Sequence, residues 1–153
     1  MRAYALMLLL SALTLAGCTT PALMAPKPQS YPNMVAYYDL AISWGVTRDG
    51  GITINGAVNN RSYYYLRDLE LTATLLGPGG TSLGEKTFFF FPNQLSLDET
   101  APFTLVIPLK QGTAPEKIRF LYRYRHAEER ETRATPYFQS FEVPLEGKTY
   151  ERR

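Results

Sequence analysis

One histidine and one cysteine bound the chemistry open to this chain. A Ser-His-Asp triad needs a histidine as general base, steadied by an acid, so His126 is its sole candidate. His126 sits in sequence beside Glu128, Glu129, Arg130, Glu131 and Arg133. That setting reads as a solvated hairpin tip. Zinc with a single histidine and no spare cysteine would rest on carboxylates almost alone, which suits it poorly. A calcium loop needs closely spaced oxygen ligands. Arg48-Asp49-Gly50 offers one carboxylate and Leu97-Asp98-Glu99 offers two, and both read as turns. Gly77-Pro78-Gly79-Gly80 is not followed by Lys and Ser or Thr, so it lacks the phosphate-loop pattern. Glycoside hydrolysis needs two facing carboxylates, and among fourteen acidic residues no spacing selects a pair. The expectation is a protein that is not an enzyme and uses no cofactor and no metal.

Cys18 carries a different chemistry. Arg2 is a positive start, Ala5 to Ala16 is a short apolar run, and Leu15-Ala16-Gly17-Cys18 ends it. The run falls below the roughly 20 residues a spanning helix needs and has the shape of an export signal. Leu15-Ala16-Gly17-Cys18 resembles the lipobox of bacterial lipoproteins at every position. The resemblance implies cleavage before Cys18, acylation of its sulfur and attachment to a membrane outside the cytoplasm. Two or three acyl chains, each CH₂ contributing about 0.8 kcal/mol, would make that attachment lasting. Thr19 at the next position, in place of Asp, implies the outer membrane facing the periplasm. A sole cysteine forms no internal disulfide.

Residues 1–17 are therefore expected to be a signal peptide and 18–33 a tether. Pro21, Pro26, Pro28 and Pro32 favour extended chain, reaching up to roughly 45 Å at about 3.1 Å per residue. Residues 34–145 read as one domain, and 146–153 as a tail. The formal charge of +2 does not point to nucleic acid.

Within the domain, alternation with a period of two recurs, the mark of half-buried strands. Tyr38, Leu40, Ile42, Trp44 and Val46 form one face. Asp49-Gly50 marks a hairpin, followed by Ile52, Ile54, Gly56 and Val58. Leu69 to Leu75, Glu85 to Phe91, Phe103 to Ile107, Ile118 to Tyr124 and Tyr137 to Val143 complete the set. A short helical turn is expected at His126 to Arg133. About seven strands predict an all-β, immunoglobulin-like antiparallel β-sandwich, with a small up-and-down barrel as the other architecture.

Gly56-Ala57-Val58-Asn59-Asn60, Leu66 to Leu71, Ser82-Leu83-Gly84 and Leu97 to Phe103 also resemble the FxLYD-type immunoglobulin-like domains of bacterial and archaeal envelope proteins. The resemblance covers residues 51–108. It implies an extracytoplasmic interaction or accessory domain without shared catalytic residues.

Three aromatic runs break the two-faced pattern: Tyr37-Tyr38, Tyr63-Tyr64-Tyr65 and Phe88-Phe89-Phe90-Phe91. Consecutive strand residues face opposite ways. If Phe88 and Phe90 share the core face, Phe89 and Phe91 point outward. Uncharged, strand-forming rings left in water are an aggregation hazard. The tether or tail, a protein partner or second copy, or an apolar ligand could cover them. Tyr63, Tyr64 and Tyr65, expected in a connection, join Phe89 and Phe91 as the candidate binding surface, because amphipathic tyrosines suit binding loops. Lys117, Arg119, Arg123 and Arg125 form a cationic row, read as a solvated sheet face with Glu on neighbouring strands. The expected function is a non-catalytic protein-binding or accessory module of the envelope, with a membrane and an envelope protein as partners. The alternative is a carrier or sensor of a small apolar ligand such as a lipid.

Overall fold

A computed structural model describes residues 30–127 and 135–145. The expected signal peptide with Cys18, most of the expected tether, residues 146–153 and the acidic stretch after Ala127 lie outside the described residues.

Nine strands form two antiparallel sheets: β1 (Asn33–Tyr37), β2 (Leu40–Arg48), β3 (Gly51–Asn60), β4 (Tyr65–Leu76), β5 (Ser82–Phe89), β6 (Gln94–Leu95), β7 (Thr100–Pro108), β8 (Lys117–Ala127) and β9 (Thr135–Pro144). One sheet runs β1-β2-β3-β7 and the other β5-β4-β8-β9, with β6 paired to the start of β4. Hairpins join β1 to β2, β2 to β3 and β4 to β5, and β8 pairs antiparallel with β9, while the chain changes sheets between β3 and β4 and again on either side of β7. Two packed sheets linked in this way are an immunoglobulin-like sandwich, not a closed barrel.

The alternation that predicts the strands also explains the core. Leu40, Ile42 and Trp44 from β2 and Ile52, Ile54 and Val58 from β3 meet Leu71, Ala73 and Leu75 from β4 and Ile118, Phe120 and Tyr122 from β8. Trp44 packs edge-on against Phe120 with ring centroids 5.0 Å apart. Gly56 sits where the sheet crowds, because a Cβ there would collide with Ser43 O and the Phe103 ring.

Two short strands add to the expected set of seven. β1 begins at Asn33, the last residue of the stretch expected to be a tether, and β6 is a two-residue piece. Tyr38 leaves the inward face assigned to it. It occupies the β1–β2 hairpin at φ 52°, exposed to solvent. Tyr65 opens β4 and does not lie in a connection. His126 belongs to β8, opposite Thr135 of β9, and not to a helical turn or loop tip.

Candidate functional site

The end of the sandwich where β1 turns into β2 gathers Asp39, His126 and a group of tyrosines. Asp39 follows the strained Tyr38 in that hairpin. Its carboxylate Oδ2 lies 2.7 Å from His126 Nε2 and accepts a hydrogen bond from Tyr124 Oη. Its backbone carbonyl accepts from Arg61 N at 2.7 Å. The imidazole is boxed by rings, with centroids 4.2 Å from Tyr137 and 4.8 Å from Tyr64. Tyr124 stacks on Tyr137, and Tyr122 donates to Tyr37 O at 2.8 Å. A bulky residue at positive φ is uncommon and strained. Here it places Asp39 under β8.

Burial and the nearby carboxylate push the Tyr124 hydroxyl well above its ordinary range, and burial does the same to Tyr122. Both are held protonated as donors. Asp39 and His126 form an acid–imidazole pair, but a triad also needs a nucleophile on the free side of the ring. Among the described residues, the hydrogen bonds of His126 end on Asp39. The same residues contain no group of three metal-ligating side chains. The arrangement clamps β1–β2 to β8.

Asn60, at the end of β3, builds the adjoining loops. It is fully buried, and its Nδ2 donates to Tyr64 O at 2.9 Å, Ser96 O at 3.0 Å and Leu95 O at 3.1 Å. Two amide hydrogens serve three carbonyls, so one of these bonds is shared. Its Oδ1 accepts from Ser62 N at 2.9 Å, while its backbone N and O bond to Glu99 O and Asp98 N. One side chain thus fixes both the β3–β4 connection and the segment around β6. Tyr63, 93% exposed, stands on the first of these, and Phe91, 96% exposed, stands in the β5–β6 connection, which Asp68 N ties to β4 through Asn93 O at 2.9 Å.

The second exposed aromatic region is the outer face of β5-β4-β8-β9. Phe89 on β5 is opposite Glu70 on β4, which is opposite Arg123 on β8, which is opposite Phe138 on β9. Phe89 is 67% and Phe138 73% exposed. Between them, Arg123 Nη2 reaches both Glu70 oxygens at 2.9 and 2.7 Å. Each cation of the row has a carboxylate partner, with Glu142 shared by two of them. Arg119 binds Glu142 at 2.7 Å, Lys117 reaches the same carboxylate at 3.5 Å, and Arg125 lies 3.7 Å from Asp68. The bond from Arg119 lowers the Glu142 pKa below the usual carboxylate range. Exposed pairs like these contribute at most about 1 kcal/mol each.

The candidate surface therefore divides. Tyr63, Tyr64 and Phe91 stand near the loop end, Phe89 on the outer face, and Tyr65 is half-buried at the start of β4. Phe88 and Phe90 turn inward as alternation requires, with ring centroids 4.9 Å apart. Asp39, Asn60, Tyr38 and Phe138 are additions that sequence reasoning missed. Of these, Tyr38 carried a local signal in the Tyr37-Tyr38 run, and Phe138 carried one as an outward ring one step from Tyr137. A crevice of about 20 Å³ beside Leu66, Phe90 and Leu95 has room for about one water.

No protein-family model matches the chain, and no curated protein matches it. Among solved structures, a protein from Archaeoglobus fulgidus is similar over 69% of this chain and 94% of that one, at 13% identity and a TM-score of 0.34. A likeness that slight carries no argument about function.

Proposed function

We propose that this chain is a lipoprotein of the cell envelope, anchored through an acylated Cys18 and facing the periplasm from the outer membrane. Its sandwich is a non-catalytic binding or accessory module of FxLYD type, and it engages an envelope protein through its aromatic loop end. The observation that carries this reading is a pair of almost fully exposed rings on held connections, Tyr63 where the buried Asn60 bonds Ser62 and Tyr64, and Phe91 where Asp68 N bonds Asn93 O. Rigid aromatic anchors bind at low entropic cost. Tethering geometry supports it too. β1 runs from Asn33 toward the Tyr38-Asp39 hairpin, about 13 Å at strand rise. The tether therefore joins the body away from the aromatic end, which is left facing outward from the bilayer. The alternative is a carrier or sensor of a small apolar ligand; the crevice by Leu66 and Phe90, among the described residues, has room for about one water.

Two measurements test the proposal. The intact mass of the chain recovered from membranes is expected to show loss of residues 1–17 and added acyl mass at the new N-terminus. A chain retaining those residues with a bare thiol contradicts the anchor. Tyr63→Ser with Phe91→Ser is expected to keep the fold and the anchor and to reproduce the phenotype of deleting the gene. A fully functional double variant contradicts the binding surface.

A further inference from the structure

The outer face of β5-β4-β8-β9 has a pattern that the loop-end reading does not use. One row across it runs Phe89, Glu70, Arg123, Phe138, one residue per strand. It is aromatic, acidic, basic, aromatic. A two-fold axis lying in the face, parallel to the strands and midway between β4 and β8, maps this row onto its complement. Glu70 then faces the partner's Arg123, and Phe89 faces the partner's Phe138. In the adjoining row Arg125 on β8 is opposite Arg67 on β4 and 3.7 Å from Asp68 in the β4 bulge, so the same operation sets Arg125 against the partner's Arg67 with the partner's Asp68 beside it. The next row inward places Thr72 against the partner's Leu121, with Leu121 40% exposed. An axis perpendicular to the strands fails. Centred on that Thr72–Leu121 row, it sets Arg123 against the partner's Arg119, and like charges across an interface are costly.

We propose that this face is a homodimer interface, occupied by a second copy of the chain about the strand-parallel two-fold axis. Four strands at about 4.8 Å spacing and roughly nine residues at 3.3 Å rise present about 570 Å² per copy. The pair buries about 1,100 Å², near the lower limit for a specific interface. Rings at the two edges shield the charge pairs between them from water, where opposite charges attract more strongly. A shallow groove lined by Glu70, Thr72, Leu121, Arg123 and Phe138 receives the partner's Phe89. At the Glu85 row, Glu85 meets the partner's Glu142. There the partner's Arg119, one strand over and already bound to that Glu142, lies beside both. The strand-parallel axis also keeps both tethers on the same side, as two anchors in one membrane require. The dimer uses a different face from the loop-end surface and stands without it.

The test exploits the two-fold operation. The full chain, in detergent and over a dilution series, is expected to sediment as a dimer that dissociates as it is diluted. Glu70→Arg sets two cations against each other across the axis, and Arg123→Glu sets two anions. Each variant alone should associate at least about tenfold more weakly. An equimolar mixture should restore the dimer, because both cross-axis pairs between positions 70 and 123 then join opposite charges. Circular dichroism verifies folding, and Leu121→Arg, which leaves both ion pairs in place, should also yield monomer. Tyr63→Ser with Phe91→Ser should dimerise like the unaltered chain, which separates this interface from the loop-end surface. A monomer at every concentration, or a mixture no more associated than either variant, overturns the proposal.

Discussion

His126 Nε2 lies 2.7 Å from Asp39 Oδ2 although the two residues are 87 positions apart. This contact joins the first hairpin to the penultimate strand, and Tyr124 adds its hydroxyl to the same oxygen. The only histidine is thereby a structural clamp. Removing the carboxylate leaves two polar groups facing a ring-lined enclosure.

Asp39→Ala is expected to destabilise the domain by about 1–3 kcal/mol, the range for stranding buried donors. Asp39→Asn retains shape but loses the charge, and should fall between Ala and the unaltered chain. Urea unfolding monitored by Trp44 fluorescence checks both. Equal stability of all three chains would show that the clamp contributes nothing.

Alkali should unfold the domain through Tyr122 and Tyr124. Their folded pKa values are raised above the ordinary tyrosine value. The folded state therefore holds these protons more tightly than the unfolded state. Their contribution is fully present below the unfolded value of about 10 and is lost as pH rises above it. Phenolate absorbance from these two rings should appear together with unfolding. Titration of every tyrosine near pH 10 with the fold intact would contradict the buried hydrogen bonds.

Asn60→Ala removes several bonds to loop carbonyls at once. A loss of about 2–4 kcal/mol is expected, since each unsatisfied buried group costs about 1–3 kcal/mol and the loop relaxes in part. Amide exchange should accelerate at Ser62, whose N–H bonds to the Asn60 side-chain oxygen. Unchanged exchange there would show that the loops hold themselves.

The phenylalanine run divides by face. Phe89→Ser with Phe91→Ser should change stability by no more than about 0.5 kcal/mol per site, as exposed positions do. Phe90→Ala should cost about 3–5 kcal/mol, because that ring lies in the core beside Phe88 and Phe103. Chemical denaturation distinguishes the two faces, and a fold lost in the double variant would assign the outward rings to the core.

Alternation made β2, β3, β4 and β8 legible, because each has one face in the core and one in solvent. It also placed Phe89 and Phe91 outward and Gly56 where strands crowd. β1 was hidden because Asn33 and Met34 lie against a proline-rich stretch whose composition favours open chain. The setting of His126 was invisible for another reason. Its partner Asp39 is distant in sequence, whereas the adjacent acidic run suggested solvent. The role of Asn60 depends on carbonyls more than thirty positions later, which no local pattern records. Phe138 gained meaning only once the register aligned it with Arg123, Glu70 and Phe89.

The claim at the centre is that the loop end carrying Tyr63 and Phe91 captures an envelope protein. A photo-crosslinking residue placed at position 63 or 91 in living cells tests it most directly, with position 53 on the opposite sheet as control. The account predicts one shared adduct from 63 and 91, absent from 53, and lost from 63 when Phe91→Ser is added. No adduct at either position, or the same adducts at all three, would contradict it.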